Sequence, residues 1–136
     1  MATALVVEDQ EEIASLIKFK LKNSGYDVIL AENGKEGLEA ARNDTPDIII
    51  LDAMMPVMNG LETLKYLKND QNLKSIPVIM LTAQSTESEI VEGFEFGADD
   101  YMTKPFRTQE FIARVNAVLT RYSPEKVKQH SERNKS

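Results

Sequence analysis

The chain has 136 residues, with 16 Lys and Arg against 22 Asp and Glu, a formal net charge of −6. That is the size of one domain, and its acidic balance argues against a general nucleic-acid surface, which needs a basic face. It contains no cysteine, which excludes disulfides, zinc thiolate sites and thiol chemistry. No stretch approaches the ~20 apolar residues of a membrane span and no signal-peptide pattern opens the chain, so a cytoplasmic protein is the expectation.

Ala4 to Val7 is a short apolar strand ended by Glu8 and Asp9. From Glu11 the pattern turns helical, with Ile13, Leu16, Ile17 and Leu21 recurring at three- and four-residue steps until Gly25 closes the helix. Tyr26 to Leu30 is the next strand. Asn33-Gly34 starts a short helix carrying Leu38, Ala40 and Ala41, which ends near Asn43-Asp44. The stretch Pro46 to Gly60, PDIIILDAMMPVMNG, then holds an unbroken apolar run from Asp47 to Leu51 that suits a central strand buried on both faces. It stops at Asp52, and Pro56 with Asn59-Gly60 marks a loop and a new helix bearing Leu61, Leu64 and Leu67.

Pro77 to Leu81 is a fourth buried strand, ending in Thr82-Ala83. Ser85-Thr86 with Glu89 resembles the N-cap of a helix carrying Ile90, Val91 and Phe94, which Gly97 ends. Asp99 to Met102 is a short fifth strand, and a final helix after Lys104-Pro105 turns Phe111, Val115, Val118 and Leu119 inward. Strict strand–helix alternation implies a parallel sheet with helices on both faces, joined by right-handed crossovers. Ser123-Pro124 breaks the pattern, and residues 123–136 read as a polar tail or the start of a linker.

Glu8-Asp9, Asp52, Thr82 and Lys104 all fall at the carboxyl ends of strands, the edge where open α/β sheets bind ligands. If the first and third strands are neighbours, three carboxylates share one crevice. Two such charges ~4 Å apart repel by roughly 4 kcal/mol at an effective dielectric of 20. A counter-charge is therefore expected, and a hard divalent cation such as Mg²⁺, which takes carboxylates, waters and a phosphate oxygen, fits an all-oxygen site. A rim of hydrated acids is the plainer alternative.

LVVED at 5–9, LDAMMPVMNG at 51–60, LTA at 81–83, GADDY at 97–101 and KPF at 104–106 together resemble the receiver domain of two-component response regulators, the CheY-like family. The resemblance runs from residue 4 to about 121, so residues 1–122 would be the receiver. It implies a doubly wound, flavodoxin-like α/β fold, five parallel strands in the order 2-1-3-4-5 with five helices. It also implies a signalling domain whose only chemistry is self-phosphorylation and autodephosphorylation. Asp52 would be the phosphoacceptor, supplied by a sensor histidine kinase or a histidine phosphotransfer protein. Glu8, Asp9, Asp52 and the Met54 backbone carbonyl would hold Mg²⁺. Lys104 and the Thr82 hydroxyl would bind phosphoryl oxygens. Thr82 and Tyr101 would relay the change to the face formed by the fourth helix, fifth strand and fifth helix. Lys104-Pro105 would be cis, and Glu8 replaces the commoner aspartate. Met54 and Gln84 flank the site, and neither can act as an acid or base.

Residues 94–121 look more like the winged-helix OmpR/PhoB class than stand-alone chemotaxis-type receivers. That implies a weak, phosphorylation-dependent twofold dimer through Asp99, Asp100, Arg114 and Arg121, although Ile90 stands where a basic residue opposite Glu110 is expected. The 14 residues from Ser123 are too few for a DNA-binding domain, so no direct nucleic-acid contact and no membrane contact are expected of this chain. One alternative is a phosphorylation-independent interaction module of the same fold. A haloacid dehalogenase-type phosphatase would need an aspartate where Met54 stands, and a flavodoxin-like cofactor site would be repelled by Glu8-Asp9.

Overall fold

The computed structural model describes residues 2–55, 57–83 and 86–122, with residue 122 described by its backbone alone. Met1, Pro56, Gln84, Ser85 and the 123–136 tail lie outside the described residues. The elements are β1 (Thr3–Val7), α1 (Glu11–Asn23), β2 (Asp27–Ala31), α2 (Gly34–Asp44), β3 (Ile48–Asp52), α3 (Gly60–Asn69), β4 (Val78–Thr82), α4 (Glu87–Glu95), β5 (Asp100–Thr103) and α5 (Thr108–Tyr122). The strands form one parallel sheet in the order β2-β1-β3-β4-β5, the expected doubly wound topology.

β3 is buried along its whole length because side chains alternate between two covered faces. Ile48 and Ile50 join Ala4, Val6, Ile79 and Leu81 in a core closed by Ile17 and Leu21 of α1 and by Phe111, Val115, Val118 and Leu119 of α5. Ile49 and Leu51 face the other way, with Leu5, Val7, Val78 and Met80, under Leu38 and Ala41 of α2 and Leu64 and Leu67 of α3.

The starts of α2, α3 and α4 are set by side-chain caps. Asn33 accepts the Glu36 N–H at 2.9 Å, Asn59 the Glu62 N–H at 2.9 Å, and Thr86 the Glu89 N–H at 3.2 Å.

Two apolar expectations change. Leu16, one of the recurring apolar positions of α1, is 50% exposed, and the buried α1 positions are Ala14, Ile17 and Leu21. Val91 and Phe94 of α4 are 47% and 46% exposed, and α4 buries only Gly93. An apolar repeat identifies a helix without saying whether its stripe meets the sheet or the edge beside it. Strand ends also shift by a residue: β2 starts at Asp27, β3 runs from Ile48 to Asp52, and β5 starts at Asp100.

Candidate phosphoacceptor and metal site

Asp52 is the last residue of β3, in register with Leu81 of β4, and is 3% exposed. Glu8 directly follows β1, the neighbour of β3, so the topology itself brings the two carboxylates together. Gly60 completes the local geometry. A Cβ at this position would lie 2.4 Å from the Asp52 carbonyl oxygen and 2.6 Å from Ala53 Cα. Only glycine lets α3 begin hard against the strand end, where its N–H donates to the Ala53 carbonyl at 3.0 Å.

One carboxylate oxygen from each of Glu8, Asp9 and Asp52 lies within 4.8 Å of the others. Glu8 is buried and Asp9 exposed, so the crevice opens on the Asp9 side. Lys104 Nζ donates to Glu8 Oε1 at 2.7 Å and to Asp52 Oδ1 at 3.2 Å. Backbone N–H groups hold the acids in place: Gln10 donates to Glu8 Oε2 at 3.1 Å, and Met54 donates to Asp52 Oδ1 at 3.3 Å. The Lys104-Pro105 peptide is cis, as expected. Thr82, the last residue of β4, is buried at the same edge.

The electrostatics follow from this crowding. Burial pushes the Glu8 carboxyl up to about 7, against the lowering effect of Lys104 and with a further rise from Asp52. Burial alone would lower the Lys104 pKa, but Glu8 and Asp52 outweigh it and the ammonium is held more tightly than usual. Three carboxylates against one lysine leave two negative charges. An all-oxygen donor set with that deficit fits Mg²⁺, with Glu8, Asp9 and Asp52 as ligands.

Beside Asp52 opens a cleft of about 510 Å³ whose apolar walls come from Ile13, Leu16 and Phe106. Lys20 of α1 places its Nζ 4.9 Å over the Phe106 ring. The α1 contribution was not legible in the sequence, where Ile13 and Leu16 stood only as members of a helical apolar repeat.

The other expected residues lie on the α4–β5–α5 side. Tyr101 is half-buried, with its hydroxyl donating to the Glu89 carbonyl at 3.3 Å and its ring 5.3 Å from that of Phe94. Arg114 Nη1 contacts both Asp100 carboxylate oxygens at 3.1 Å, and its Nε contacts Glu110 at 3.3 Å. Asp99 turns away from this group: it accepts the Val78 N–H at 2.8 Å and lies 3.9 Å from Lys68. Arg121 is exposed.

A doubly wound sheet with a buried strand-end aspartate, two further acids and a lysine at one edge defines a receiver-type phosphoacceptor domain. The family model "Response regulator receiver domain" matches residues 4–116, and the chain belongs to that family. The chain is 48% identical over 117 residues to the alkaline phosphatase synthesis transcriptional regulatory protein PhoP of Bacillus subtilis strain 168, covering 86% of this chain and 48% of that protein. It thus spans about half the length of that relative. Among solved structures, chemotaxis protein CheY4 of Vibrio cholerae is 33% identical at a TM-score of 0.83, covering 87% of this chain and 98% of that one. The receiver domain of Francisella response regulator 1452 is 40% identical at a TM-score of 0.82, covering 89% and 98%. Among the described residues no helix is long and apolar enough to cross a membrane.

Proposed function

We propose that Asp52 accepts a phosphoryl group from a phosphohistidine of a sensor histidine kinase or phosphotransfer protein. A carboxylate oxygen of Asp52 attacks phosphorus, the new O–P bond forms, and the N–P bond to the imidazole breaks. The observation that carries this reading is the buried Asp52 carboxylate with Lys104 at 3.2 Å and the oxygens of Glu8 and Asp9 beside it. Mg²⁺, when bound by Glu8, Asp9, Asp52 and the Met54 carbonyl, neutralises charge on the phosphoryl oxygens. Lys104 exchanges one of its carboxylate contacts for a phosphoryl oxygen, and Thr82 donates its hydroxyl to another. The Thr82 shift then biases Tyr101 and the α4–β5–α5 face between two arrangements that control a partner or output.

Treatment with acetyl phosphate and Mg²⁺ is expected to add one phosphoryl group to the wild type and none to Asp52→Asn, read by intact-protein mass spectrometry. Equal labelling of both, or labelling undiminished by a chelator, would remove the assignment.

The same state is proposed to form a weak twofold dimer in which Asp100 and Arg114 trade their contact within one chain for contacts between chains. Asp99 and Arg121 form the second such pair. Exposed pairs contribute only ~0–1 kcal/mol each, which keeps the resting protein monomeric. Light scattering with beryllofluoride and Mg²⁺ is expected to show dimer in the wild type and less of it in Arg114→Ala. A monomer in both states would end the dimer reading and leave the phosphoacceptor untouched.

A further inference from the structure

Gly93 is the only α4 residue that is buried, and what buries it is the ring of Tyr101. A Cβ built on Gly93 would lie 1.6 Å from the Tyr101 hydroxyl oxygen, 2.5 Å from Cζ and 2.8 Å from Cε2. All three contacts are far below van der Waals distance, and all are to the mobile end of one side chain. The hydroxyl end of the phenol therefore rests against the helix only because position 93 has no side chain. It is held there by the hydrogen bond to the Glu89 carbonyl and by the tilted contact with Phe94. Beside the ring lies a cavity of about 160 Å³ whose lining includes Leu61, Met80, Thr82, Glu89 and Tyr101 itself. The ring thus borders both a bare stretch of helix and a space that reaches Thr82.

We infer that Gly93 is a positioning residue that sets the resting place of Tyr101, and that any side chain there drives the ring off α4 into the cavity beside Thr82. That this displacement matters for activation rests on the Thr82–Tyr101 switch proposed above; the displacement itself does not. Gly93→Ala removes the resting position without touching the acids, Lys104 or Thr82. Alanine also favours helix over glycine, so the substitution supports α4 instead of breaking it.

The test is fluorine NMR of fluorotyrosine-labelled protein, with the Tyr101 resonance assigned through Tyr101→Leu, alongside titration with beryllofluoride and Mg²⁺. In the wild type the resonance is expected to move on titration; in Gly93→Ala it is expected to be displaced before any ligand is added. If the ring is inward in ~10% of resting molecules, its release is expected to tighten beryllofluoride binding by up to ~10-fold. A Tyr101 resonance in Gly93→Ala unchanged from the resting wild type overturns the proposal. So does an affinity gain that persists in Gly93→Ala/Tyr101→Ala, because the effect would then belong to the helix and not to the ring. A displaced ring with unaltered affinity supports the role of Gly93 and overturns the Tyr101 switch instead.

Discussion

At the amino edge of the sheet, Asp47 accepts the Thr3 N–H at 2.7 Å and Asp99 accepts the Val78 N–H at 2.8 Å. Lys68 lies there too, donating to the carbonyls of Lys74 and Ile76 at 3.2 and 2.9 Å, with Asp99 at 3.9 Å. At the carboxyl edge the same residue types face one another. Glu8 and Asp52 both turn to Lys104, and an oxygen of Asp9 lies within 4.8 Å of theirs. The amino edge is closed: each carboxylate satisfies a strand N–H, and the lysine has acceptors on three sides. The carboxyl edge carries an excess of negative charge on buried groups. A fold tolerates such an imbalance where a ligand corrects it, so the difference between the edges separates structural acids from functional ones.

The strongest test of that contrast replaces the two lysines. Lys104→Met leaves buried carboxylates without their cation and is expected to cost about 3 kcal/mol near pH ~8 in chelator. Millimolar Mg²⁺ is expected to return most of the loss, because the metal binds only the folded crevice. Lys68→Met is expected to cost about 2 kcal/mol by removing the donor to two carbonyls and the counter-charge beside Asp99, and Mg²⁺ should return none of it. Urea denaturation of both variants with and without Mg²⁺ gives the comparison. An equal response to the metal would end it.

A smaller effect comes from pH. Folding raises the Glu8 carboxyl from its ordinary value of 4.5 to about 7, chiefly by burial. The folded protein therefore binds this proton more tightly than the unfolded chain. The resulting stabilisation is complete below 4.5 and is lost as pH rises through about 7. Metal-free protein is expected to lose on the order of 2 kcal/mol between about pH 5 and about pH 8, and Glu8→Gln to flatten that slope. Retention of the full slope in the variant would place the titrating group elsewhere.

Much of this was legible in the chain, and for physical reasons. The β3 and β4 runs are apolar at every position because both faces of the sheet are covered, which made them readable without a partner. The acids were readable because each interrupts such a run. What the sequence could not separate is one strand-end acid from another. Asp99 reads as part of a dimer face, and nothing in the sequence shows that its carboxylate also takes the Val78 N–H at the amino edge. Which strand N–H such an acid meets depends on pairing between strands distant in sequence, here β4 with β5. The exposed stripe of α4 and the approach of Tyr101 to Gly93 depend likewise on packing that no local pattern encodes.

The smallest expected effect is also the sharpest, because the same chemical change is made at both edges. Asp52→Asn removes one charge from the crowded crevice and leaves Lys104 its 2.7 Å contact with Glu8. In chelator it is expected to stabilise the fold by about 1 kcal/mol through relief of like-charge repulsion. Asp99 has Lys68 beside it at 3.9 Å. Asp99→Asn gives the Val78 N–H a weaker acceptor and takes the counter-charge from Lys68, so a loss of about 1 kcal/mol is expected. Urea midpoints measured for both variants in one buffer give the two signs directly. Mg²⁺ should then reverse the order at the carboxyl edge, because wild type gains metal binding that Asp52→Asn has weakened, while Asp99→Asn keeps its deficit. If both substitutions stabilise the metal-free protein, the amino-edge acids are as strained as those of the crevice, and the distinction between the edges fails.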